Sequence, residues 1–277
     1  MLEIACPHFD LAKTLESGQV FHWFKNESTY SGVIGGKLFT LRQRGEVLEV
    51  HEGNPQTAAT YFALDHPLEH IVSTFPQDEW LTPAADFCAG LRIMRQEPWE
   101  CLATFITSAL KQVPHIRQIS LDLRQRYGAQ ITSGFHRYPT PGALANAGEA
   151  ALRESRLGFR ARSLARTAAM IANGEVDLEA LRSLPTDTLR RELCRLPGVG
   201  VKVANCVLLF AYERLEAFPI DVWIERVLRD LYFARKRKVT SERLRQFAAT
   251  YFGPCGGYAQ QYLFHQARLT LKKRAQT

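Results

Sequence analysis

Up to about residue 80 the apolar positions come in short alternating or β-branched runs, VFHWF, YSGVI, KLFTL and EVLEV, broken by the turn signals KNES, Gly35-Gly36 and HEGNP. YSGVI and KLFTL, separated by the two glycines, predict a β-hairpin. This stretch therefore predicts a small antiparallel sheet with a helix or two. Beyond it the spacing turns helical. Leu102, Phe105, Ile106 and Ala109 recur at i, i+3, i+4 and i+7, as do Ile224, Val227, Leu228 and Leu231, and again Leu244, Phe247, Ala248 and Tyr251. Gly and Pro punctuate these helices, among them Pro114, Gly158, Pro185, Gly198 and Gly253. The predicted fold class is α+β, with a β-rich domain over residues 1–85 and an all-α domain over residues 86–277. The pattern contains no internal repeat, and the terminal LKKRAQT reads as a frayed basic tail.

Composition changes this picture little. A chain of 277 residues is long enough for one large or two modest domains with buried cores, and 46% hydrophobic with 23% charged residues is ordinary globular usage that argues against disorder. The 35 Lys+Arg against 28 Asp+Glu, a net charge of +7, suit a polyanionic partner without requiring one. No run reaches the length of a membrane span, and MLEIACPHFD lacks the basic and apolar regions of a signal peptide. An intracellular, reducing location is expected: cytoplasmic and nucleoid-associated, or nuclear in a eukaryote. The six cysteines form no CxxC pair and the histidines no ligand spacing, so no metal and no cofactor are assigned and the thiols are expected to act as small buried hydrophobes.

The chemistry concentrates in LPGVGVKVANC, residues 196–206, and in FPIDVW further on. Leu189, Leu193 and Leu196 share one helical face, Pro197 stops that helix, and Val203, Val207 and Phe210 share a face of the next. PGVG is then a tight turn in which Gly198 and Gly200 can take positive φ. It is either a capped helix turn and nothing more, or a site where free N–H groups at a helix start meet one phosphate of a nucleic-acid strand. Lys202 lies in the first turn of the second helix, where the dipole disfavours a cation, a poor place for stability and a good one for a nucleophilic amine. Asp221 is predicted to cap the helix begun by VWIER. It either does only that or also faces the cleft of Lys202, and an amine with a carboxylate suffices to displace a leaving group from a sugar carbon through a cationic transition state.

These residues resemble the helix-hairpin-helix DNA glycosylases. SGQVFHW (17–23), GFRAR (158–162) and GGYAQQYLF (256–264) resemble in particular the bifunctional 8-oxoguanine DNA glycosylases. The resemblance runs in the family's order over most of the chain. It implies a TBP-like antiparallel β domain followed by an all-α helix-hairpin-helix glycosylase domain, acting as a monomer on double-stranded DNA containing 8-oxoguanine. It implies that Lys202 attacks C1′ of a flipped nucleotide, forms a Schiff base and permits β-elimination, while Asp221 stabilises the developing positive charge. Gly198, Gly200 and Val201 would hold a backbone phosphate. Gly18 would present its carbonyl to the N7–H that the oxidised base has and guanine lacks. Gln260 would bond the Watson–Crick edge of the base, Phe264 would either stack on it or simply pack in the core, and Cys206 would either close the pocket's other side or pack. Phe159 would wedge into the duplex. Arg160 would contact the estranged base, or else stand with Arg162 and Arg166 on a solvated basic face.

Two departures stand out. Where the family carries consecutive asparagines and then an arginine that read the estranged cytosine, this chain has SALKQVPHI, with Leu110 and His115 in those places; Trp223 stands where the animal enzymes usually carry histidine. Relaxed opposite-base preference is expected. Two other readings stay open: a glycosylase of alkylated bases, which needs no hairpin lysine, and a non-catalytic DNA-binding module that uses the hairpin for phosphate alone.

Overall fold

In the computed structural model, which describes residues 2–234 and 239–274, the first domain is built on strands β1 (Leu2–Ala5), β2 (Phe24–Asn26), β3 (Thr29–Ile34), β4 (Lys37–Arg44) and β5 (Val47–Glu52). They form one antiparallel sheet in the order β1-β5-β4-β3-β2. The glycine pair makes the expected hairpin: Ile34 faces Lys37, and Gly35 and Gly36 both take positive φ (54° and 74°), matching the right-handed twist of the strands. Helices α1 (Leu11–Glu16) and α2 (Pro55–Tyr61) cover one face. Asp10 and Asn54 cap them by accepting from Lys13 N and Thr57 N.

One predicted strand is absent. In VFHWF only Phe24 is in a strand; Val20, Phe21 and Trp23 are buried side by side from an irregular segment. Side chains replace the ladder there. Gln19 donates to Arg92 O (2.8 Å) and accepts from Met94 N (3.0 Å), stitching the segment to the chain's return path toward the second domain.

The helices that follow are α3 (Leu68–Ser73), α4 (Leu81–Phe87), α5 (Pro98–Thr107), α6 (Val113–Tyr127), α7 (Pro141–Leu152), α8 (Arg160–Ala172), α9 (Thr186–Cys194), α10 (Val201–Ala211), α11 (Val222–Val227), α12 (Ser241–Tyr251) and α13 (Gly256–Arg274). A short hairpin of β6 (Gln130–Thr132) and β7 (Phe135–His136) interrupts them, an element the helical spacing does not predict. The sheet's core runs from Cys6 to Phe62 and takes in Met94, while a larger helical core begins at Leu68. Every residue of α10 from Val203 to Ala211 is buried, so this helix is the axis of the second domain and its N-terminus is rigidly placed. Of LKKRAQT, Leu271 to Arg274 continue α13 and residues 275–277 lie outside the described residues. Cys6, Cys88, Cys101 and Cys206 are buried as expected; Cys194 and Cys255 are half-buried.

Candidate active site

The turn between α9 and α10 is pinned from below. Gly198 has φ +81°, and a Cβ there would stand 2.7 Å from Ser163 Cβ on α8, so only glycine fits. Thr167 on the same helix donates to Pro197 O at 3.0 Å. Gly200 departs from expectation, because its φ of −97° and ψ of 179° are ordinary extended backbone. A Cβ at Gly200 would meet nothing within 4 Å, and Val201 beside it is 40% exposed. The first N–H groups of α10 are therefore open to a ligand at the positive end of the helix dipole.

Lys202, one residue into α10, points across the cleft toward α5. Its Nζ donates to Ser108 Oγ (3.3 Å), which itself donates to Phe105 O (2.8 Å), and it lies 5.2 Å from the centroid of the Phe105 ring. Phe105 is backed by Phe210, stacked at 5.4 Å. Cys206, one turn further along α10, is buried, and burial pushes its thiol up to about 11, an effect the neighbouring Lys202 partly offsets. Asp221 caps α11 through Ile224 N (2.9 Å). Burial raises its carboxyl above the ordinary 3.8, opposed by the Ile224 N–H and by the charge of Lys202.

These groups line one cleft of 950 Å³ together with Gly18, Gln260, Phe264, Gly198, Gly200 and Trp223. Gly18 has φ +89°, and a Cβ there would stand 3.2 Å from Phe264 Cε1. Gln260 is 4% exposed, and its Oε1 has no hydrogen-bond partner among the described residues. A buried acceptor without a partner is costly unless a ligand completes it. Phe264 is half-buried against the helical core, so it both packs and presents a ring to the cleft.

The rim is apolar. Phe159 is 63% exposed, but Arg160 behind it is buried. The Arg160 guanidinium lies 4.3 Å from the Phe159 ring centroid and donates to Leu157 O (3.2 Å) and to Ala109 O, so it is not on a solvated basic face. Leu110, next to Ala109, has φ +54° and at 83% is the most exposed large hydrophobic residue among the described residues. His115, in the first turn of α6, is also exposed. Ser108, Phe105, Phe210 and Arg268 belong to the cleft too; the sequence marks Phe105 and Phe210 only as apolar positions on helix faces and gives none of the four a role in the site. Lys202 and Ser108 are 94 positions apart.

Two family models match the chain in succession. The model of the 8-oxoguanine DNA glycosylase N-terminal domain matches residues 1–102, and that of the HhH-GPD superfamily base excision DNA repair proteins matches residues 104–250. The N-glycosylase/DNA lyase of Saccharomyces cerevisiae is 32% identical over 85% of this chain and 71% of its own length. A probable N-glycosylase/DNA lyase of Methanothermobacter thermautotrophicus is 29% identical over 96% of each. The Clostridium acetobutylicum 8-oxoguanine glycosylase/lyase, solved with double-stranded DNA containing cytosine opposite 8-oxoguanine, superposes with a TM-score of 0.90 at 30% identity, covering 98% of this chain and 99% of that one. The chain thus belongs to the HhH-GPD superfamily of base excision DNA repair proteins and carries the N-terminal domain of the 8-oxoguanine DNA glycosylases.

Proposed function

We propose that this protein is a bifunctional repair enzyme that flips 8-oxoguanine out of duplex DNA, excises it and cleaves the strand by β-elimination, with Lys202 as nucleophile. The observation that carries the reading is one cleft holding the Lys202 amine, the half-buried Asp221 carboxylate and the unpartnered Gln260 acceptor. The neutral amine bonds to C1′ as the glycosidic electron pair leaves with the base, and Asp221 stabilises the cationic sugar and assists proton transfer. Opening of the sugar's C1′–O4′ bond, with a proton passing to the freed O4′, turns this adduct into a Schiff base, which makes the 2′ proton acidic; loss of that proton breaks C3′–O3′ and expels the 3′ phosphate.

The remaining roles are those that the family resemblance implies. Gly198, Gly200 and Val201 hold a phosphate at the open start of α10. Gly18 receives N7–H, Gln260 reads the Watson–Crick edge, and Phe264 and Cys206 enclose the ring. Phe159 enters the duplex, with Arg160 and His115 beside the estranged base. Residues 1–85 then contribute the Gly18 loop and residues 86–277 everything else. The protein works as a monomer on its duplex.

Incubating the protein with an 8-oxoguanine duplex and borohydride is expected to leave a covalent protein–DNA adduct. Base release without an adduct would favour a hydrolytic glycosylase of the superfamily. Binding with neither would favour a non-catalytic module.

A further expected outcome concerns the opposite base. Rejecting a wrong partner requires polar groups left unpaired by it, each costing about 1–3 kcal/mol. Leu110 has none to leave unpaired, and Arg160 is already engaged with Leu157 O and Ala109 O. Single-turnover excision opposite cytosine is therefore expected to exceed excision opposite adenine, guanine or thymine by roughly tenfold or less, and Leu110→Asn to widen the ratio. A wild-type preference of several hundredfold would assign the reading to other residues.

A further inference from the structure

Gly18 can report the lesion only if its carbonyl is held at a fixed point, and α13 holds the two residues before it. Arg268 donates from Nη2 to Glu16 O (2.5 Å), and Gln261 donates from Nε2 to Ser17 O (3.0 Å). Gly18 comes next, and no donor among the described residues reaches its carbonyl. Glu16 ends α1, where unpaired carbonyls and the dipole both favour a cation. Arg268 also lies 5.7 Å from the centroid of the Phe264 ring, and its Nη1 is 3.7 Å from where a Gly18 Cβ would stand.

The guanidinium is itself fixed. Its Nη2 lies 3.3 Å from His265 Nδ1, and since arginine only donates, that nitrogen must accept. Burial holds His265 down at about 4, so the ring stays neutral near pH 7 and keeps accepting.

We propose that Arg268 is a specificity-positioning residue: by bridging the end of α1 to α13 beside the Phe264 ring, it sets the distance between the Gly18 carbonyl and the stacking ring, and so the fit to the oxidised base. The proposal rests on reading the cleft as the base pocket. Arg268 sits one turn beyond Phe264 on the same face of α13 and touches neither Lys202 nor Asp221 in the contacts described.

The test separates base reading from chemistry. A preformed abasic site offers C1′ to Lys202 with no base to fit, so adduct formation on it reports the amine alone. Arg268→Leu is expected to slow single-turnover excision of 8-oxoguanine on the order of ten- to a hundredfold. Borohydride trapping on abasic duplex should stay within about twofold of wild type. Arg268→Lys, which can still donate to Glu16 O, should recover part of the excision. Equal losses on both substrates would mean that Arg268 merely supports the fold, and unchanged excision in Arg268→Leu would mean that it does not position the pocket; either result overturns the proposal. Wild-type protein that traps abasic duplex but leaves 8-oxoguanine uncut would instead overturn the substrate reading on which the proposal stands.

Discussion

Lys202→Gln is expected to bind an 8-oxoguanine duplex almost as wild type does while releasing no base and forming no borohydride adduct, a loss on the order of 10³-fold or more. The variant separates affinity from chemistry because most affinity for a duplex comes from phosphate contacts. Glutamine nearly matches the length of lysine, and its amide N–H can still donate to Ser108 Oγ, the partner Lys202 holds at 3.3 Å. What it loses is the attraction of the ammonium to the Phe105 ring, worth about 0.5–1 kcal/mol at a site of this exposure, too little to unfold the helical domain. It also loses the lone pair that attacks C1′. Full excision by Lys202→Gln, measured in single turnover, would mean that water rather than the amine is the nucleophile.

What could be read from the sequence was chemistry written over short distances. The Gly35-Gly36 hairpin, the turn before α10, the Asp221 cap and the shared face of Gln260 and Phe264 each depend on neighbours within a few residues, so periodicity and turn chemistry reach them. Long-range pairings were out of reach. VFHWF has the composition of a strand, but its burial comes from Gln19 bonding to residues 92 and 94, a tertiary choice that overrides local preference. Gly200 looked like a second positive-φ glycine and is extended; the strain of the turn falls on Gly198, which faces Ser163. Arg160 reads from the sequence either as a contact to the estranged base or as part of a solvated basic face, and its guanidinium, turned inward onto Ala109 O, excludes the second. Ser108 stands out only as the start of SALKQVPHI and Arg268 not at all, since a serine after FIT and an arginine near a basic end occur in any helical protein. Their significance lies in what the fold sets beside them.

Asp221→Asn is the complementary change, because it keeps the geometry and removes the charge. Asparagine caps a helix about as well as aspartate, so the bond from Ile224 N survives and α11 keeps its start. The wild-type carboxyl has its pKa raised by burial, so as a carboxylate it costs folding stability, a cost that is absent below the unfolded pKa, grows between the two values and is full above the folded one. The variant is therefore expected to melt at the same temperature as wild type at pH 7 or above it, with the exposed face of Lys202 in solvent limiting any loss from its missing neighbour. Catalysis should move the other way. A fixed charge aimed at a developing cation in a cleft of low dielectric is worth roughly 10²–10³ in rate, and that loss is expected in single-turnover excision by Asp221→Asn. The pH dependence supplies the second readout. Because the folded carboxyl titrates above the ordinary 3.8, wild-type excision should decline as pH falls through that raised value, and the acid limb should vanish in the variant. Excision within about tenfold of wild type, with the acid limb intact, would reduce Asp221 to a helix cap and leave stabilisation of the sugar cation to another group in the cleft.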